Sequence, residues 1–215
     1  MIDFALPVPP ATLGAFVLAA LAIVLSPGPD TLLILRHTIA SGRRVGLATV
    51  AGVQLGLLVH TAMAVGGLSL IIASSPALFR LVAVAGALYL GWLGLQGFRE
   101  GGALHIGAKA GPETTAGRAC RQAILTNVLN PKVILLFLAL FPNFVDRARP
   151  DVPAQLATLA AALIVVNTLY QAPLAWAADV VRRWVDRPGV QTWVARGTGA
   201  IFIGFAVLLL LDHAL

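Results

Sequence analysis

Six blocks of predominantly apolar residues follow one another along the chain, at about Leu13 to Leu35, Val45 to Ala73, Ala77 to Phe98, Gln122 to Val145, Val152 to Ala178 and Gly197 to Leu211. A run of about 20 apolar residues is long enough to cross the hydrocarbon layer as a helix. The pattern therefore predicts an all-α membrane protein with six transmembrane helices in a single domain over residues 1–215.

Two of the blocks are interrupted. The first contains Leu25-Ser26-Pro27-Gly28-Pro29-Asp30, and the fourth contains Asn130-Pro131-Lys132. Pro27 and Pro29 donate no N–H, and within a continuous helix their rings would clash with the carbonyls of Ile23 and Leu25. In lipid every backbone polar group needs an internal partner, so such breaks survive only where protein or a water-filled cavity surrounds them. Ser26 followed by Pro27 fits a helix restart, because Ser is a favoured N-cap and Pro a favoured first helical residue. Helices one and four are accordingly predicted to be broken at Pro, each as two half-helices meeting inside the membrane.

The two breaks also belong to an internal repeat. Leu25-Ser26-Pro27 matches Leu129-Asn130-Pro131, and Gly86-Ala87-Leu88-Tyr89-Leu90-Gly91 matches Gly199-Ala200-Ile201-Phe202-Ile203-Gly204. The halves are residues 1–102 and 103–215, approximately. Three helices per copy is an odd number, so the second copy must be inverted relative to the first. Inverted repeats with substrate sites at broken helices are a common plan of secondary transporters.

Composition and charge agree with the membrane reading. The chain is 59% hydrophobic and 11% charged, with mean hydropathy +0.89, more apolar surface than a soluble domain of 215 residues can cover. Of its 15 Lys and Arg residues, eleven lie after the first, third and fifth blocks, including Arg36, Arg43 and Arg44. By the positive-inside rule those loops are cytoplasmic and both termini lie outside. The net charge of +6 is thus topology rather than a nucleic-acid footprint, since no soluble basic domain carries it. The N-terminus lacks Lys and Arg, so a removable signal peptide is not expected. The lone Cys120 excludes an internal disulfide.

Asp30 and Lys132 are intramembrane charges, which are costly and mark functional sites by default. Each stands just past a helix restart, where free N–H groups and the positive dipole end favour an anion. Together the groups suit a zwitterion, with backbone amides and Lys132 for a carboxylate and Asp30 for an ammonium. The plainer alternative is that Asp30 and Lys132 neutralise each other and pin the two halves together. Ser26, Pro27, Gly28, Pro29, Asp30, Asn127, Asn130, Pro131 and Lys132 form the expected substrate site, with Asp30 and His60 as proton-coupling candidates. A hydrogen-bonded role in helix packing is the simpler account of His60. Gln54, Asn167, Thr168, Tyr170 and Gln171 either line the path or bridge helices. Gly52 and Gly56, and the Gly86 and Gly199 clusters, fit close helix approach, within one chain or between the two chains of a homodimer.

Ser26-Pro27-Gly28-Pro29-Asp30, Ala87 to Gly94, Asn127 to Lys132 with Phe141-Pro142-Asn143-Phe144-Val145, and Gly197-Thr198-Gly199-Ala200 resemble, in order and over nearly the whole chain, the LysE/RhtB family of bacterial amino-acid exporters. The resemblance implies proton-driven export of a small amino acid or derivative across the inner membrane, without a cofactor or a metal. The sequence departs from the family pattern at Arg121-Gln122-Ala123-Ile124 and in the loop Gly101 to Thr115. A metal-cation exporter of related architecture would want clustered His, Cys or carboxylates, whereas the four His stand apart at 37, 60, 105 and 213. An intramembrane enzyme would need a nucleophile with its base or a metal motif such as His-Glu-x-x-His, and none is present. A non-transporting membrane protein would not require two related breaks with charges.

Overall fold

The computed structural model describes residues 7–25, 28–68, 76–99, 113–177 and 188–214. Helix α1 (Pro10–Leu25) is followed after the first interruption by α2 (Pro29–Ser41), and the two axes meet at 56°. Gly42, with φ 83°, makes a one-residue turn that only glycine adopts without strain, and α3 (Arg43–Met63) runs on into a π-helical turn, Ala64–Leu68. Then come α4 (Pro76–Arg99), α5 (Ala116–Val128) and α6 (Pro131–Leu135). The last continues through a π-helical turn, Leu136–Leu140, and a 3-10 turn, Phe141–Phe144. The bend between α5 and the helical run after it is 57°. Two long helices, α7 (Val152–Trp176) and α8 (Pro188–Ala214), complete the fold, and no strand occurs among the described residues.

Arg43–Gly67 and Val152–Trp176 are each long and apolar enough to cross a membrane, and each bent pair qualifies when counted as one span. Helices α4, of 24 residues, and α8, of 27, have spanning length as well. Leu18 and Leu169 (each 70% exposed) and Trp193 (80%) point outward. Outward apolar side chains on this scale suit a lipid surface rather than water.

Some boundaries differ from the sequence reading. The first basic loop is mostly helix: α2 runs to Ser41, so His37 is buried and donates from Nδ1 to Thr49 Oγ1 at 2.9 Å, whose own hydroxyl is committed to the Val45 carbonyl. The third basic stretch is likewise shortened, because α8 begins at Pro188 and includes Arg196. The restart after the first interruption falls at Pro29 with Gly28 as N-cap, two residues beyond the expected Ser26 and Pro27. A residue preceding proline is driven out of the helical region. Gly28 is extended (φ −148°, ψ −174°), so Pro29 is the first position from which an uninterrupted helix can run.

Small residues set the helix spacing. A β-carbon on Gly52 would collide with the Cys120 carbonyl, and one on Gly56 would lie 2.5 Å from Asn127 Oδ1, so at both glycines the α3 backbone lies directly against α5. Gly94 and Gly199 do the same between α4 and α8, where a β-carbon on either would lie 2.7 Å from the other's carbonyl oxygen. One apolar cluster joins α1, α7 and the turns after α6, with Phe16 edge-on to Phe141 at 5.2 Å. A second joins α2, α3, α5 and the end of α7, and Tyr170 packs against both. The turn before α7 is held by Gln155, whose amide bonds the Asp146 backbone and the Asp151 carboxylate. That amide, with Arg149 beside it, holds the Asp151 carboxyl below the usual range.

Candidate functional site

The two helix restarts face one cavity of about 50 Å³, lined by Gly28, Asp30, Asn127, Asn130 and Lys132 together with apolar residues of α1, α3, α6 and α7. That is room for several waters.

The two restarts are built differently. At the start of α6, Asn130 is extended, and its side-chain oxygen accepts the Lys132 N–H at 3.0 Å, a complete N-cap with Pro131 in the first helical position. At the start of α2, Gly28 contributes no capping side chain, and the first intrahelical bond is Leu32 N–H to the Gly28 carbonyl at 3.1 Å. Lys132 lies over this uncapped end: a β-carbon on Gly28 would be 3.8 Å from its Nζ.

Asp30, in the first turn of α2, sends its carboxylate to the other break. Oδ2 accepts from Asn127 Nδ2 at 2.9 Å and from Asn130 Nδ2 at 3.3 Å. Oδ1 is buried and has no hydrogen-bond partner. A buried carboxylate oxygen without a donor is expensive, and the cost is relieved by a proton or an ammonium brought to it. Asn127 is fixed in turn by the notch at Gly56. Its carbonyl accepts from His60 Nε2 at 3.2 Å, which places the proton on that nitrogen. His60 stacks on Phe137 at 5.4 Å and borders a separate apolar groove of about 460 Å³, and its hydrogen bond toward the site is to the Asn127 backbone.

Of the residues expected from sequence, Gly28, Asp30, Asn127, Asn130 and Lys132 thus come together. Pro29 and Pro131 open α2 and α6. Ser26 and Pro27 lie outside the described residues. Among the polar residues left open, Asn167 and Gln171 line the same cavity, and both bond Gln54. Thr168 is turned back onto the Ile164 carbonyl of its own helix. The dual role of Asn127, holding Asp30 and receiving His60, was not foreseen. A polar residue three positions before the Asn130 cap was its only sequence signal. No group of three or more His, Cys, Asp or Glu suited to a metal occurs among the described residues.

Residues 21–213 match the family model described as LysE type translocator. The chain belongs to this family. LysE-type translocators are amino-acid exporters, so this chain is a transmembrane transport protein and not an enzyme. It is 32% identical over 195 residues to a homoserine/homoserine lactone efflux protein of Salmonella typhimurium, covering 91% of this chain and 94% of the relative. A leucine efflux protein of Enterobacter sp. is 30% identical over 199 residues, covering 92% and 94%. The uncharacterized membrane protein YrhP of Bacillus subtilis is 28% identical over 204 residues, covering 91% and 97%. No solved structure matches the chain.

Proposed function

We propose that this LysE-type translocator is a secondary-active, proton-coupled exporter of a small amino acid or amino-acid derivative across the bacterial inner membrane. In this reading the chain has six spans in two inverted three-helix repeats. Helices α1 with α2, and α5 with α6, are broken spans, the basic loops are cytoplasmic and both termini are periplasmic. The nearly equal bends of 56° and 57° and the proline in the first position of both restarted helices support that arrangement.

The observation that carries the proposed site is the Asp30 carboxylate, anchored through Oδ2 by two amides while its buried Oδ1 has no partner. Asp30 takes the substrate ammonium or, between substrates, a proton. The substrate carboxylate sits at the uncapped start of α2 under the Lys132 ammonium, where N–H groups and a full charge add. Each restart thus supplies the charge that the other end of the zwitterion needs. His60, bonded to the Asn127 backbone carbonyl, serves to position Asn127. The named relatives export homoserine, its lactone or leucine, which supports a small amino acid or derivative without choosing one.

The test is efflux of radiolabelled amino acids from proteoliposomes, together with the tolerance that expressing cells gain toward toxic amino-acid analogues. Asp30→Asn and Lys132→Ala should each lower export on the order of 100-fold, the loss typical of breaking a buried charged contact, at unchanged membrane abundance. Wild-type export by both variants would remove the proposed site.

A further inference from the structure

Across the cavity from Asp30 and Lys132, α7 presents Asn167 and Gln171 four residues apart, hence on one face, buried to 7% and 3% exposure. Both are joined to Gln54 of α3 in a one-way chain: Asn167 Nδ2 donates to Gln54 Oε1 at 3.4 Å, and Gln54 Nε2 donates to Gln171 Oε1 at 3.1 Å. Gln54 spends both ends of its amide within the chain. Each terminal amide spends one, which leaves an acceptor, Asn167 Oδ1, and a donor, Gln171 Nε2. Reversing all three amides exchanges the two ends, and one donor and one acceptor still remain. Neither atom is sealed into the protein in the way that Asp30 Oδ1 is.

We infer that the Asn167–Gln54–Gln171 amide chain is the side-chain subsite of the exporter and selects a small zwitterion bearing a hydroxyl group. A hydroxyl donates one hydrogen bond and accepts others, so it satisfies both free ends at once. A purely apolar side chain would seal them off from water unpaired, and a site built around hydrogen bonds rejects an analogue lacking the polar group far more strongly than an apolar pocket rejects an added one. A carboxylate or ammonium side chain would satisfy one end and oppose the other. The inference rests on the exporter reading, because the backbone charges of the substrate must be held at Asp30 and Lys132 for its side chain to point at α7.

The experiment uses the full chain in proteoliposomes and two substrates that differ only in the terminal hydroxyl, homoserine and 2-aminobutyrate. The wild type should export homoserine at least about tenfold more efficiently than 2-aminobutyrate, the value of one well-made hydrogen bond. Gln171→Leu and Asn167→Leu should lower homoserine export much more than 2-aminobutyrate export and so bring that ratio near one. If the amides serve only to join α3 and α7, both rates fall together and the ratio stays, which overturns the inference. A wild-type ratio near or below one overturns it without any variant, and leaves amino-acid export standing. A wild type that exports neither of these nor any common amino acid removes the exporter reading and the subsite together.

Discussion

At the start of α6, Asn130 accepts the Lys132 N–H and closes the helix end, whereas at the start of α2 the N-cap is a glycine with nothing to offer. Both breaks carry proline in the first helical position and both bend by nearly the same angle. Their chemistry has nevertheless diverged. One end is satisfied by the protein, and its asparagine is spent on holding Asp30 as well. The other keeps its backbone amides uncapped beneath a lysine. The difference teaches that two breaks of similar geometry need not be equivalent sites: in the proposed exporter one is scaffold and the other receptor, and the charged side chain of each helix lies at the opposite break.

The comparison can be broken at three places, in order of decreasing effect. Gly56→Ala should be the most damaging, because its β-carbon would meet the Asn127 amide and Cβ at 2.5–2.9 Å. Relief requires α5 to move, at about 1–3 kcal/mol for overpacking, and shifts the residue that holds Asp30. A lowered unfolding temperature in detergent with strongly reduced export is expected, and wild-type values for both would show that α5 is free to yield. Asn130→Ala removes the α6 cap and one Asp30 donor, at about 1 kcal/mol for the cap, visible as a smaller fall in melting temperature. Gly28→Ser should have the mildest effect on folding. It offers α2 the cap that α6 already has, with a gain of a few tenths of a kcal/mol at most. Export should fall several-fold as the hydroxyl competes for the amides assigned to the substrate carboxylate. A Gly28→Ser protein that transports normally would mean that the uncapped end of α2 plays no part.

How much of this the sequence makes legible depends on the residue. Proline and glycine within apolar blocks locate both interruptions, because their backbone limits act locally. Helix α6 starts at Pro131 for the same reason, while the cap role of Asn130 emerges only in the structure. Ser26 before Pro27 suggests a restart in the same way and is outranked by the second proline, since each residue before a proline is pushed out of the helix and the later one prevails. Partners distant in the chain are not legible. That Asp30 turns to Asn127 and Asn130 follows from the bend angles and from the Gly56 notch, neither of which has a local signature. Gln54, Asn167 and Gln171 show the same limit: as polar residues in apolar blocks they are visible, but only the approach of α3 to α7 shows that they form one chain. His37 reads as a loop residue because Arg36 and Arg43 flank it, and its bond to Thr49 becomes possible only once the Gly42 turn folds α3 back on α2.

The central claim is that Lys132 with the start of α2 takes the substrate carboxylate while Asp30 takes the ammonium. It is tested most directly by competition against export of the preferred amino acid, using its decarboxylated amine and its deaminated acid as inhibitors. In the wild type, both analogues should compete on the order of 100-fold more weakly than the amino acid itself, each having lost one charged contact. Lys132→Ala should abolish the advantage of the amino acid over the amine and keep its advantage over the acid. Asp30→Asn should do the reverse. Variants that retain transport and discriminate both analogues as the wild type does would contradict the assignment of either charge to the substrate.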